Sequence, residues 1–343
     1  MPGARASCAP AEFRRSIRKR ETCAMQTCKN IACSAGGTRG IMYFGMFSAL
    51  ERHMPEVFGT TFSDYLMNIE GFSGSSVGAL ASLILILNVP AARIREVCAP
   101  QLACVRTIVP RPDISMLLTS YGLDDGQALR AVIRSVLHAG GICEDATFAD
   151  LYRLLKRVYV CVATNVHTRE ATYFSVSTTP DTRIMDAVYM SMCVPFVFTP
   201  THHDGDLHVD AALSHNMPRA FDRDTTLFIN FHTDKRRTKV ETVNDYILAI
   251  FGMTGEDNAT TPHSDDKCLW LRMPDTLNDE YALDFDMGEQ SVLLRMQCGY
   301  ASTLMHLFPM FMDTIVETIV LVYHVALAHA TLTIGEANMN SGT

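Results

Sequence analysis

The chain has 343 residues and 11 cysteines, yet no Cys-x-x-Cys pair. Scattered cysteines in odd number give no disulfide framework, and a chain of this size needs none. Reduced thiols in a cytosolic or nuclear compartment are therefore expected. Cys23, Cys28 and Cys33 are evenly spaced, but Cys33 sits in an apolar run, so they do not read as a zinc set. Charge is also scarce, at 19% of residues against 48% apolar, which excludes a disordered chain. The 20 glycines and 14 prolines follow no period, which excludes collagen. A net charge of −8 argues against general nucleic-acid binding, which needs a broad basic surface. The N-terminus lacks the apolar core of a secretory signal, so secretion is not expected.

What is present divides into three parts. Residues 1–29 are basic: Arg5, Arg14, Arg15, Arg18, Lys19, Arg20 and Lys29 face only Glu12 and Glu21. They read as a solvated tail, with a targeting peptide or a membrane-surface arm as alternatives. Residues 30–307 read as one ordered domain. Strand-like Ile31–Ser34, a Gly-rich turn, a helix over Ile41–Met54 ended by Pro55 and Gly59, strand-like Met67–Phe72, a second Gly turn and a buried helix over Val77–Leu87 follow in order. Helices are expected at Leu129–His138 and Ala149–Leu155. Strands are expected at Arg157–Ala163, Ala171–Ser175, Thr226–Phe231 and Leu269–Met273. This alternation predicts an α/β fold, a mainly parallel sheet between two helical layers. Ile114–Leu118 reads as an ordinary packed helix, with part of a lid over an acyl chain as the alternative. His232–Lys239 reads as a solvated basic loop. Residues 308–343 form an apolar helical extension. Thr318–Ile334 carries no formal charge, but its 17 residues are at the lower limit for a membrane span, so a buried or amphipathic helix is expected and an anchor is the sharper reading.

The strongest chemical signal is Gly74-Ser75-Ser76-Val77-Gly78, between a predicted strand and a predicted helix. That is the setting of a Gly-x-Ser-x-Gly nucleophile elbow, in which small flanking residues permit a tight turn that presents the serine hydroxyl. A Ser/Gly loop merely capping the helix is the bland alternative. Ala35-Gly36-Gly37-Thr38-Arg39-Gly40 is a second Gly-rich loop. Its backbone N–H groups could converge on one point, and the following helix adds its positive end, as an oxyanion hole requires. It lacks the Lys-Ser/Thr ending of a nucleotide phosphate loop.

Together these segments resemble the patatin-like phospholipases. Ala35–Gly40 is similar to the family's Gly-Gly-Gly-x-Arg-Gly loop, and Gly74–Gly78 to its elbow. Val209-Asp210-Ala211-Ala212 with His215-Asn216-Met217-Pro218 resembles its Asp-Gly-Gly/Ala…Asn-x-Pro segment. Met190–Phe198 resembles its Ala-Ser-x-Ala-Ile-Pro-x-x-Phe stretch, and Val162–Asn165 its Ala-Thr-Asp strand. Gly122–Leu129, Thr147–Leu151, Asp284-Phe285-Asp286 and Gly299-Tyr300 agree as well. The resemblance spans about Asn30 to Leu307. It implies a patatin-like α/β/α fold and a Ser–Asp dyad without histidine or metal. Ser76 would attack the ester and Asp210 would take its proton, while Gly36, Gly37 and Val77 would hold the oxyanion. Arg39, beside Gly40, would steady the loop or meet a lipid phosphate. The implied activity is acyl-ester hydrolysis of phospholipid at a membrane surface, by a cytoplasmic chain. A triacylglycerol lipase or general esterase, or a catalytically impaired membrane-associated relative, is the alternative. No cofactor and no nucleic-acid partner are implied.

Two departures bear on geometry. Ala35 replaces a glycine, and Ala211 follows the aspartate; if either needed a positive φ, the cost would be on the order of 1 kcal/mol. Two rival sites also compete. His202-His203-Asp204-Gly205-Asp206-Leu207-His208-Val209-Asp210 could bind a metal, with Asp206, His208 and Asp210 on one strand face. A polar turn is the expected reading there. His208, His215, His306 or His324 could complete a Ser-His-Asp triad, although His215 follows Asp210 too closely to serve easily.

Overall fold

A parallel strand buried on both faces has no polar side to show, so it reads as a short continuous apolar run. The computed structural model of the chain describes residues 25–98, 113–232, 267–273 and 287–308. Its strands are β1 (Asn30–Cys33), β2 (Gly71–Ser75), β3 (Gly122–Asp124), β4 (Val158–Asn165), β5 (Ala171–Ser175), β6 (Phe196–Phe198), β7 (Thr201–His203), β8 (Asp206–Val209), β9 (Thr226–Phe231) and β10 (Cys268–Leu271). The main sheet has the order β10-β9-β1-β2-β4-β8-β7, with β5 also on β4. From β10 to β4 every pairing is parallel, whereas β5, β8 and β7 run antiparallel to their neighbours. β3 and β6 form a separate two-stranded sheet.

Helices pack around this sheet in the three-layer α/β/α arrangement expected. They are α1 (Ile41–Phe58), α2 (Phe62–Met67), α3 (Val77–Ile86), α4 (Ala91–Val97), α5 (Ile114–Ser120), α6 (Gln127–Ala139), α7 (Phe148–Leu155), α8 (Ile184–Met192) and α9 (Glu289–Leu307). Every residue of α3 from Gly78 to Ile86 is buried, as an all-apolar helix requires. α1 and α9 touch backbone to backbone. A Cβ on Gly45 would strike the Met296 carbonyl, and one on Gly299 the Met42 carbonyl.

Three expected elements differ. α1 does not end at Pro55 but runs through it to Phe58. Proline forfeits only one hydrogen bond in a last turn, and Gly59, left-handed at φ 70°, closes the helix by donating to the Pro55 carbonyl at 3.1 Å. The strand expected from Met67 starts only at Gly71. Thr61 accepts from the Asp64 N–H at 3.1 Å and caps a helix that takes the chain to Met67. The helix at Ile114 exists, but it is not packed: none of its residues is buried. Most of the basic tail, the basic loop after His232, Asp284-Phe285-Asp286, Cys23 and the apolar segment after Phe308, with His324, lie outside the described residues. Among the described residues, no helix is long and apolar enough to cross a membrane.

The α1–α9 contact gives a stability prediction. Gly299→Ala forces a methyl into backbone that cannot swing aside, and it should destabilise the fold by about 1–3 kcal/mol. A lower denaturant midpoint at unchanged slope is the expected reading; an unchanged midpoint would refute the close packing.

Candidate active site

The register of β4 brings the two chemical segments together. Along one edge of β4, β2 pairs in parallel until Ser75 lies opposite Val162. On the other edge, β5 places Ala171 opposite Thr164. Thr164 also pairs with Val209 of β8, so β8 must occupy the edge that β2 has left. The two strands thus approach head-on along one edge. The next residue of each, Ser76 and Asp210, meets the other beside Ala163. The Ser76 hydroxyl donates to Asp210 Oδ2 at 2.6 Å, and both residues are 4% exposed.

The turn that presents Ser76 is strained. Ser76 has φ 53° and ψ −129°, a conformation that costs a non-glycine residue about 1–3 kcal/mol. It is held from several sides. The Ser76 N–H donates to Ser191 Oγ at 2.8 Å, and its carbonyl accepts from the Ala79 N–H at 2.8 Å. Gly74 and Gly78 leave no room for a Cβ: one on Gly74 would strike Gly78, and one on Gly78 would strike the Cys33 and Ser34 carbonyls. Val77 opens α3, so its N–H lies in the first helical turn, where donors lack intrahelical partners.

Asp210 is held as firmly. It leaves β8 and caps a 3-10 turn over Ala211–Leu213, with Oδ1 accepting from the Ala212 N–H at 2.8 Å. Its own N–H donates to the Cys193 carbonyl at 2.9 Å, and its carbonyl accepts from the Thr164 hydroxyl at 2.8 Å. Burial pushes the carboxyl up to about 6, although the bonds from Ser76 and Ala212 pull the other way.

The first Gly-rich loop lies against this turn. Gly37 has φ 54°, Gly36 has no room for a Cβ beside the Phe231 ring, and a Cβ on Gly40 would meet Val77. Neither Ala35 nor Ala211 has a positive φ, so neither departure carries the feared strain. The Arg39 guanidinium stands 5.9 Å from the centre of the Phe231 ring. Burial, with the nearby Arg295 charge, lowers Arg39 to about 10, so it stays cationic at neutral pH.

The rival sites do not assemble. Asp210 lies beyond the end of β8, so it does not share a strand face with Asp206 and His208. Asp206 accepts from Asn165 at 2.8 Å, and no group of three or more metal-ligating side chains converges among the described residues. The imidazoles are engaged elsewhere: His208 with Thr172 at 3.2 Å, His215 with the Tyr173 hydroxyl at 2.8 Å. Burial lowers both, and it drives His306 in α9 down to about 4. Sequence reading missed two supports, the Ser191 hydroxyl and the Cys193 carbonyl. Both lie in the Met190–Phe198 stretch, whose resemblance marks the segment but not its contacts.

Ser191→Ala would leave the buried Ser76 N–H without its acceptor. The expected loss of stability is about 1–3 kcal/mol by denaturant titration, and no loss would refute that anchoring. Asp210 makes the opposite prediction. A carboxyl raised from near 4 to about 6 favours the fold below pH 4 and loses that advantage as pH climbs to 6. Keeping it ionised at pH 7 costs on the order of 3 kcal/mol. Asp210→Asn should therefore be at least as stable as the parent at pH 7, with the gap shrinking toward pH 4.

Comparison with known proteins bears on the family and the fold. The model of the patatin-like phospholipase family matches residues 31–221, more than half of the chain. The uncharacterized protein R571 of Acanthamoeba polyphaga mimivirus is 24% identical over 290 residues, 80% of this chain and 92% of that one. The probable lipid hydrolase 463L of Invertebrate iridescent virus 6 is 23% identical over 109 residues, 32% of this chain and 34% of that one. The solved structure of VipD from Legionella pneumophila superposes with a TM-score of 0.51 at 16% identity, over 82% of this chain and 66% of that one, a likeness of fold. One family match embraces the Gly-rich loop, the strained serine and the aspartate that meets it, and the chain belongs to the patatin-like phospholipases.

Proposed function

We propose that the chain is a serine lipid acyl hydrolase of phospholipase A type, working through an acyl-enzyme on Ser76. The observation that carries this reading is the buried 2.6 Å bond from Ser76 Oγ to Asp210 Oδ2, with no imidazole bonded to either residue among the described ones. The family supports lipid as substrate, and the viral relative described as a probable lipid hydrolase points the same way.

The chemistry follows from the contacts. Asp210 accepts the Ser76 proton as Oγ attacks the acyl carbonyl. The oxyanion that forms is met by N–H groups of Gly36, Gly37 and Val77. Collapse expels the lipid alcohol, which takes the proton from Asp210. Water then gives a proton to Asp210 as its oxygen attacks the acyl carbon; collapse releases the fatty acid, and Asp210 returns the proton to the departing Ser76 Oγ. A carboxyl near 6 is a stronger base than an ordinary aspartate and is still mostly ionised at pH 7. Arg39 keeps its charge beside the loop, where its buried guanidinium over the Phe231 ring steadies it.

A fluorescent phospholipid and a fluorophosphonate label test this reading. Ser76→Ala should lose both label and turnover, with kcat down by at least about 10³-fold. Asp210→Asn should lose turnover while staying folded. The kcat/KM of the parent should drop about tenfold per pH unit below pH 6, as Asp210 protonates. Full turnover in Ser76→Ala would overturn the assignment.

A further inference from the structure

A short uncharged helix, α5, has none of its residues buried. Among the described residues nine large apolar side chains are exposed, and four of them gather here: Ile114, Leu118, Tyr121 and Phe196. Ile114 and Leu118 are 74% and 79% exposed. Spaced four and then three residues apart, Ile114, Leu118 and Tyr121 make one stripe down α5 and its C-cap. The Asp113 N–H donates to the Leu123 carbonyl at 2.7 Å, which folds the helix back on β3. β3 in turn pairs Gly122 with Phe196.

Both aromatics are held out by unfavourable backbone. Tyr121 has φ 64° and Phe196 φ 67°, left-handed conformations that bulky residues rarely adopt. The two residues are 63% and 51% exposed. Strain that displays an aromatic to water, instead of burying it, points to an occupant.

Position and charge say which one. Phe196 is three residues from Cys193, whose carbonyl holds Asp210, so the patch lies within about 11 Å of the chain that supports the base. Ser76 and Asp210 are themselves buried, so a lipid ester must be drawn from its aggregate to reach them. Between Arg111 and Arg130 there is no lysine or arginine; Arg130 is paired with Asp186, and the exposed Asp113 and Asp125 flank the patch. That charge pattern repels an anionic surface and suits an electroneutral one. Aromatic rings beside aliphatic side chains match the head-group boundary of such a surface.

We propose that Ile114, Leu118, Tyr121 and Phe196 form the face by which this chain docks on zwitterionic lipid, with the mouth of the site turned to the bilayer. The proposal rests on the lipid reading above, so binding is measured in full-length Ser76→Ala, where turnover cannot intervene. Flotation with phosphatidylcholine vesicles is the assay. Ile114→Ser with Leu118→Ser should weaken partitioning by about ten- to a hundredfold, since each removes a large apolar side chain from the contact. Neither side chain is buried, so thermal unfolding should not change. Phe196→Gly removes the ring and relieves the backbone, and it should weaken partitioning about tenfold. In the active chain, turnover of vesicle lipid relative to a monomeric ester should fall by the same factors. Several results would overturn the docking face: no binding to phosphatidylcholine, binding that needs anionic lipid, equal binding by the variants, or a dimer that these substitutions dissolve. If vesicles bind as expected and Ser76→Ala still hydrolyses lipid, the catalytic reading fails and the docking face stands.

Discussion

Everything at the candidate site depends on one edge of β4. A strand has two hydrogen-bonding edges, and β5 occupies one of them. The other is divided: β2 uses it as far as Val162, and β8 uses it from Thr164. Because β2 and β8 run in opposite directions, their ends face each other across a single residue. Ser76 and Asp210 are 134 positions apart in sequence yet need no further device to meet. A one-residue slip of either strand would turn its end to the other face of the sheet and separate the pair.

The cost of this arrangement is spread over the surrounding fold. A left-handed serine and a buried carboxylate are each unfavourable by a few kcal/mol. What offsets them is structure that cannot relax locally. α3 is buried along its whole length, Gly74 and Gly78 sit against backbone, and every polar atom of Asp210 has a partner on a different element. In the proposed mechanism, a lone carboxylate in place of an imidazole also shortens the route of the proton. A carboxylate proposed as base gains strength by desolvation, and burial raises Asp210 in that way.

Much of this was legible in the residues. Strand, Gly turn and helix repeat twice in the first ninety positions; valine and tyrosine mark the strand expected at Arg157–Ala163 and found at Val158–Asn165, and leucine, isoleucine and phenylalanine mark Thr226–Phe231. The places where reading failed share a cause. Pro55 and Met67 are local signals, and each is overruled by a cap a few residues away, Gly59 and Thr61. The antiparallel β8 joins a parallel sheet through a long-range pairing that no local period reports. Asp210 was visible only through family resemblance, because a lone aspartate has no pattern of its own. α5 misled because apolar spacing predicts burial, and the period that marks a core face equally marks a face that meets something outside the chain.

The segment from Ser191 to Phe196 then links what the sheet and the surface do separately. Ser191 fixes the backbone of the strained serine, Cys193 fixes that of the aspartate, and Phe196 ends in the exposed patch. Six residues therefore carry the support of both reactive groups and one corner of the apolar face. Cys193 is fully buried, and its thiol is pushed up to about 12 chiefly by that burial, so the thiol in the middle of the segment is inert. If the two act as proposed, without an imidazole between them, their separation is set by the backbone, and this segment is bonded to the backbone of both.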